Sequence, residues 1–192
     1  MTRAVFFDAG HTLLYAHPDL ATIYAEVTAT FEVTLEPARF AAAFGPAFKA
    51  GVAEAAPDGR ASDAQDLAMW RGITRRIHES VRLEVPFEDW FAALWGRFGR
   101  AESWRLYDDV VETLTALRAR GLTLGIVSNW DSRLRGLAEA MGLTGLVDFL
   151  VISAEAGVRA ALIERSKRMV DPASIPGVPI LSGLAGLDRL LT

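Results

Sequence analysis

The chain has 192 residues, 51% of them hydrophobic, with a net charge of −4 and no cysteine. That length suits one core domain and a small accessory one. The absence of cysteine excludes disulfides, thiolate metal sites and thiol nucleophiles, and makes the cytoplasm the expected compartment. Of the 20 basic residues only Lys49 and Lys167 are lysines. An acidic chain without a basic run does not read as a nucleic-acid binder. No apolar stretch approaches the roughly 18 residues of a membrane span. The opening MTRAVFFDAG lacks the pattern of a secretory signal. His11, His17 and His78 are too scattered for a histidine metal site.

In chain order, RAVFFD at 3–8 reads as a short buried strand punctuated by Gly10. Residues 17–100 then change character, with Ala, Phe, Leu and Arg recurring at helical spacing. Pro18, Pro37 and Pro86 stand where helices would begin, and Pro57-Asp58-Gly59 marks a turn. Four helices are predicted here, inserted after the first strand. Within them Trp70, Trp90 and Trp95, with Trp104 just beyond, read as packing residues rather than a pocket. The Arg75-Arg76 pair reads as solvated.

From about Ser103 strands and helices alternate. YDDVVETLTALRAR at 107–120 is a predicted helix closed by Gly121, LTLGIVSN at 122–129 a strand, and DSRLRGLAEAMG at 131–142 a helix with Asp131 as its N-cap. LVDFLVISA at 146–154 is a third strand. Such alternation implies right-handed parallel crossovers, hence a Rossmann-like three-layer α/β/α core with a mostly parallel sheet. The expected division is 1–15 and 103–192 for the core and 16–102 for a helical cap. The stretch 155–192 is ambiguous. RAALIE could be strand or helix, and as a strand it follows the third too closely to be its parallel neighbour. As a helix it could lead to a short strand, VPILS at 178–182, and the sequence leaves these open.

Asp8, at the carboxyl end of a buried strand, lies on the sheet edge where open α/β folds bind ligands. Ser128, Asn129, Trp130 and Asp131 end the next core strand and open a helix, a setting that favours an anion. Successive parallel strands end on one edge, so the two converge. An aspartate beside an anion cradle suits attack on a phosphoryl group.

The runs FFDAGHTLL and IVSNWDSRL are similar to the first two motifs of the haloacid dehalogenase-like superfamily, and VISAEAGVR resembles the approach to its third. The helical block 17–100 matches the cap such enzymes insert after the first strand. The wording is closest to the phosphatase-like branch with a helical cap. The resemblance implies a magnesium-dependent phosphatase of small phosphorylated metabolites. In it Asp8 is the nucleophile and a metal ligand, the carbonyl of Gly10 is a second ligand, and Thr12 supports the loop. Ser128 and the Asn129 N–H bind the phosphoryl group.

The sequence departs from that pattern in three ways. Gly10 stands where the phosphatases carry a second aspartate, their general acid and base. Loss of such a group typically costs about 10²–10⁴-fold, and the adjacent His11 is not expected to replace it. After residue 159 the family's Lys-Pro and Gly-Asp segment is missing, roughly 40 residues or one βαβ unit. Lys167, Asp171 and Asp188 read as surface charges, so any magnesium site is expected to be weak. The expectation is therefore an impaired phosphatase. The alternatives are an inactive binding protein on the same fold (or a deleted form of an active parent) and a 2-haloacid dehalogenase. An exposed edge beside the first strand predicts marginal stability and self-association.

Overall fold

The computed structural model describes residues 3–55 and 61–156, together with two short strands at 162–163 and 180–181. The predicted turn at Pro57-Asp58-Gly59 lies outside the described residues. The fold is α/β with a mostly parallel, Rossmann-like sheet. Strand β1 (Ala4–Phe7) pairs in parallel with β4 (Thr123–Ser128), which pairs in parallel with β5 (Phe149–Ile152), in the order β1-β4-β5.

Register sorts the side chains of this sheet into two sets. Val5, Phe7, Leu124, Ile126, Leu150 and Ile152 share one face. They meet Val110 and Leu114 of α5 (Val110–Ala119) and Leu134 and Ala138 of α6 (Arg133–Ala140) in one apolar cluster. Phe6, Gly125, Val127 and Phe149 lie on the other face. Phe6 and Phe149 touch edge-on, centroids 5.4 Å apart, across Gly125, where a β-carbon would come within 2.3 Å of the Phe149 ring. Phe6 is 61% exposed and Val127 47%. Among the described residues α5 and α6 both cover the first face.

The predicted helical block forms four helices: α1 (Leu20–Ala29), α2 (Pro37–Glu54), α3 (Asp63–Val81) and α4 (Phe87–Phe98). Pro37 opens α2 and Pro86 precedes α4, where a missing N–H costs nothing. Asp19 caps α1 by accepting from Thr22 N at 2.9 Å. The block has its own core, centred on Tyr24, Phe40, Ile73, Ile77, Trp90 and Leu94. Trp90 is fully buried and donates its indole N–H to Thr28 at 2.9 Å. Trp70 packs at the margin of this core and Trp104 against that of the sheet.

The pair Arg75-Arg76 is not simply solvated. Arg75 lies over the Phe87 ring, 3.9 Å from its centroid, and reaches Glu88 at 3.0 Å, while Arg76 pairs with Glu54 at 2.6 Å. Consecutive helical positions point about 100° apart, so one faces α4 and the other α2.

Several boundaries moved. Strand β5 stops at Ile152, and Ser153–Ala156 turn into the short helix α7 rather than extending the strand to 154. Residues 14–16 and 104–106, not foreseen as partners, form an antiparallel pair of strands, β2 (Leu14–Ala16) and β3 (Trp104–Leu106). This pair joins the ends of the helical block where it leaves and rejoins the sheet. Strand β6 (Leu162–Ile163), within RAALIE, pairs in parallel with β7 (Ile180–Leu181), within VPILS, and not with β5. The 16 intervening residues meet the length a parallel crossover requires.

Candidate active site

The carboxyl ends of β1, β4 and β5 meet at one edge. The turn after β1 is tight: Thr12, Leu13 and Leu14 all donate their N–H to the Ala9 carbonyl, and His11 donates to that of Leu14. His11 takes a left-handed conformation, φ 57°. Ala9 is fully buried and anchors the turn, while Asp8 projects into solvent.

Ser128, the last residue of β4, donates its hydroxyl to Asp8 Oδ1 at 2.7 Å. Ser128 Oγ in turn accepts from Ala9 N at 3.4 Å. The two strand ends predicted to converge thus do so through one short side-chain bond, with Ser128 buried and Asp8 reachable. Asn129 is exposed beside them, and its Oδ1 accepts from the Ser153 hydroxyl at 3.0 Å. Thr12 lies in the same turn with its side chain exposed, and among the described residues its hydroxyl has no protein partner.

Ser153, which sequence reasoning did not single out, and Trp130, which it placed only in the anion loop, shape this edge. Ser153, just past β5, accepts from Trp130 N at 3.2 Å and so ties the third strand end to the loop after the second. The signal that could have found it is position, since every parallel strand ends on this edge. Trp130 itself lies over the first turn. A β-carbon on Gly10 would stand 3.1 Å from its Cζ3.

Behind the loop, Asp131 is buried and takes Arg133 in a two-pronged grip at 2.7 and 2.8 Å. It also accepts from Arg133 N at 3.0 Å, which does the capping work expected of it, although the helix boundary falls at Ser132. Arg133 reaches on to the helical block, donating to the Trp95 carbonyl at 2.7 Å and lying 3.3 Å from the Trp95 ring centroid. A cleft of about 510 Å³ opens beside the turn, lined by His11, Tyr15, Leu20, Phe40 and Phe44 among others.

The metal donors implied by the resemblance are the Asp8 carboxylate and the Gly10 carbonyl, and none of the four bonds that brace the turn uses that carbonyl. Among the described residues no group of three or more carboxylates and histidines gathers anywhere. One carboxylate and one carbonyl fit magnesium held largely by water and substrate phosphate, and do not by themselves make a tight site. Lys167, Asp171 and Asp188 lie outside the described residues.

A parallel sheet carrying an exposed aspartate at its first strand end, bonded to a serine at the next, is an α/β fold with a polar pair on the edge where such folds bind ligands. The family model of haloacid dehalogenase-like hydrolases matches residues 2–169, and the chain belongs to that family. It is 29% identical over 162 residues to haloacid dehalogenase-like hydrolase domain-containing protein 3 of Danio rerio. That match takes in 81% of this chain and 65% of the relative, so the chain spans less than two thirds of the relative's length. The fold is similar to that of a haloacid dehalogenase-family hydrolase of Deinococcus radiodurans R1 with bound phosphate and sodium. There the TM-score is 0.54 at 21% identity, covering 98% of this chain and 88% of the other. It is also similar to the L-2-haloacid dehalogenase of Xanthobacter autotrophicus with chloropropionic acid covalently bound. That comparison gives a TM-score of 0.53 at 15% identity, covering 100% and 98%.

Proposed function

We propose that the chain is a cytoplasmic hydrolase of small phosphorylated molecules, acting through an aspartyl-phosphate on Asp8, with turnover impaired by Gly10. The bond from Ser128 to Asp8 Oδ1 carries this reading. It fixes the carboxylate's orientation and leaves Oδ2 as the attacking atom. Ser128 and the Asn129 N–H would receive the phosphoryl oxygens at the opening of α6, Thr12 would brace the loop, and residues 16–102 would act as the cap. Asp8 and the Gly10 carbonyl would hold magnesium, and what the ion supplies when bound is charge neutralisation at the phosphoryl oxygens. Membrane and nucleic acid are not among the partners proposed. No helix among the described residues is long and apolar enough to cross a membrane.

The test is phosphate release from an aryl phosphate with magnesium. Weak turnover that disappears in Asp8→Asn is expected, and turnover that survives that change would sink the reading. Gly10 also favours a second reading, a 2-haloacid dehalogenase, because halide leaves without a proton. Halide release from a 2-haloalkanoate would select it. Binding of phosphate without turnover of either substrate would select an inactive, ligand-binding member of the family.

Self-association is proposed through β1, which ends the described sheet and carries the exposed Phe6. Sedimentation of wild type against Phe6→Lys tests it, with a shift toward monomer expected and identical profiles counting against it.

A further inference from the structure

The turn after β1 has no side chain at position 10, and a β-carbon there would crowd the Trp130 ring that follows β4. A β-carbon on Gly10 would lie 3.1 Å from Trp130 Cζ3 and 3.8 Å from Cε3. That ring is fixed in place. It stands edge-on to Trp104 with centroids 4.9 Å apart, and the Trp130 backbone is held by Ser153 at its N–H and by Ala154 N at its carbonyl. Among the described residues, the position two along from Asp8 therefore faces aromatic carbon, which can neither give nor take a proton. Among the described residues, the side chain that meets Asp8 is Ser128, whose hydroxyl donates to Oδ1.

Proton donation matters in proportion to how poor the leaving group is. An alkoxide needs a proton as it departs, whereas a carboxylate or an acidic phenolate leaves as a stable anion. We infer that this site acts on phosphoryl donors whose leaving group departs unprotonated, acyl phosphates (mixed anhydrides of a carboxylic acid and phosphoric acid) above all, rather than on phosphate esters of alcohols. The inference rests on the aspartyl-phosphate reading and narrows its substrate.

In the first step an Asp8 oxygen forms a bond to phosphorus. The bond from phosphorus to the acyl oxygen breaks, and its electron pair leaves with the carboxylate. In the second step water adds to phosphorus, the bond to Asp8 breaks with its pair returning to the aspartate, and the water proton passes to phosphate or solvent. No group at position 10 is required in the first step. A shallow, open depression beside the same turn, with Tyr15, Leu20, Phe40 and Phe44 along it beside His11 and Asp19, offers an acyl group apolar surface.

The test uses the full chain with magnesium and a series of aryl phosphates whose phenols span pKa values from about 4 to 10, together with benzoyl phosphate and an alkyl phosphate. The expected result is a kcat/KM that falls steeply as the leaving-group pKa rises. Benzoyl phosphate should be the best substrate, the alkyl phosphate should be inert, and His11→Ala should leave the slope unchanged. Good turnover with a flat dependence would overturn the inference while leaving the aspartyl-phosphate reading intact. So would a slope that steepens in His11→Ala, which would make that imidazole the donor. Failure of every phosphoryl donor, benzoyl phosphate included, would overturn the reading and the inference together. Gly10→Asp combined with Trp130→Ala, which clears the room, should flatten the slope, and Gly10→Asp alone should not. If the double variant does not fold, the slope of the unaltered chain decides.

Discussion

Asp63, at the start of α3, holds both polar groups of Ser132, at the start of α6. Its Oδ1 accepts from the Ser132 backbone N–H at 2.7 Å and its Oδ2 from the hydroxyl at 2.8 Å. A residue of the helical block thus adds a second cap, beside Asp131, to the helix that opens just after Ser128. Arg133, bound by Asp131 and reaching Trp95, makes a second tie from the same turn to α4. The block is pinned to the loop that carries the site.

Breaking the first tie should loosen that junction without touching the core of either part. Asp63→Ala is expected to cost about 1 kcal/mol, the usual worth of a lost helix cap. Amide exchange of residues 130–136 should quicken in the variant. Unchanged exchange there, at unchanged stability, would show that the tie carries nothing.

Asp66 lies one turn further along α3, with Oδ2 buried and without a hydrogen-bond partner. Burial chiefly, then the charges of Asp131 and Asp63, push its carboxyl up to about 6, and Arg133 opposes them. The unfolded chain releases this proton near 3.8, so between about 4 and 6 the folded state binds more of it. This group's contribution to stability therefore falls as pH rises through that window. Asp66→Asn should remove the penalty and gain about 1 kcal/mol at pH 8, after allowance for its half-exposed setting. Asp63, held below its ordinary value by Ser132 first, works in the opposite direction and loses its contribution only as pH falls below the usual carboxylate range. Urea unfolding at pH 4.5 and 8 separates the two. A loss of stability in Asp66→Asn at pH 8 would contradict this account.

Thr28 joins two helices in the core of the helical block, accepting from Trp90 Nε1 at 2.9 Å and donating to the Tyr24 carbonyl at 2.7 Å. Thr28→Val keeps the shape and removes the oxygen, leaving a buried indole N–H unpaired. The expected cost is about 1–3 kcal/mol. A thermal shift within about 1 °C of zero would mean that the indole finds another partner.

Gly51 in α2 faces Ile73 in α3 so closely that a β-carbon would fall 2.2 Å from Ile73 Cγ1. Alanine gains about 1 kcal/mol of helix propensity but overpacks a buried contact, which typically costs about 1–3 kcal/mol. Gly51→Ala is therefore expected to lower stability, and a higher melting temperature would show that the helices can part at no cost.

The sequence alone determined the strands at 3–8 and 122–129, the four helices between them, and the placing of Asp8 and Ser128 on one edge. Those features rest on local order: apolar runs of strand length, prolines at helix starts, and the rule that parallel strands end together. The pairing of Leu14–Ala16 with Trp104–Leu106 was not legible, because three-residue strands carry too little pattern to name a partner 90 residues away. Nor did any local signal say that the Trp130 ring would lie against Gly10, or that Asp63 would cap a helix in the other part of the chain. Those contacts depend on how distant segments lie in space. A side chain's own sequence fixes what it can bond to, and only the packed chain decides what is placed within its reach.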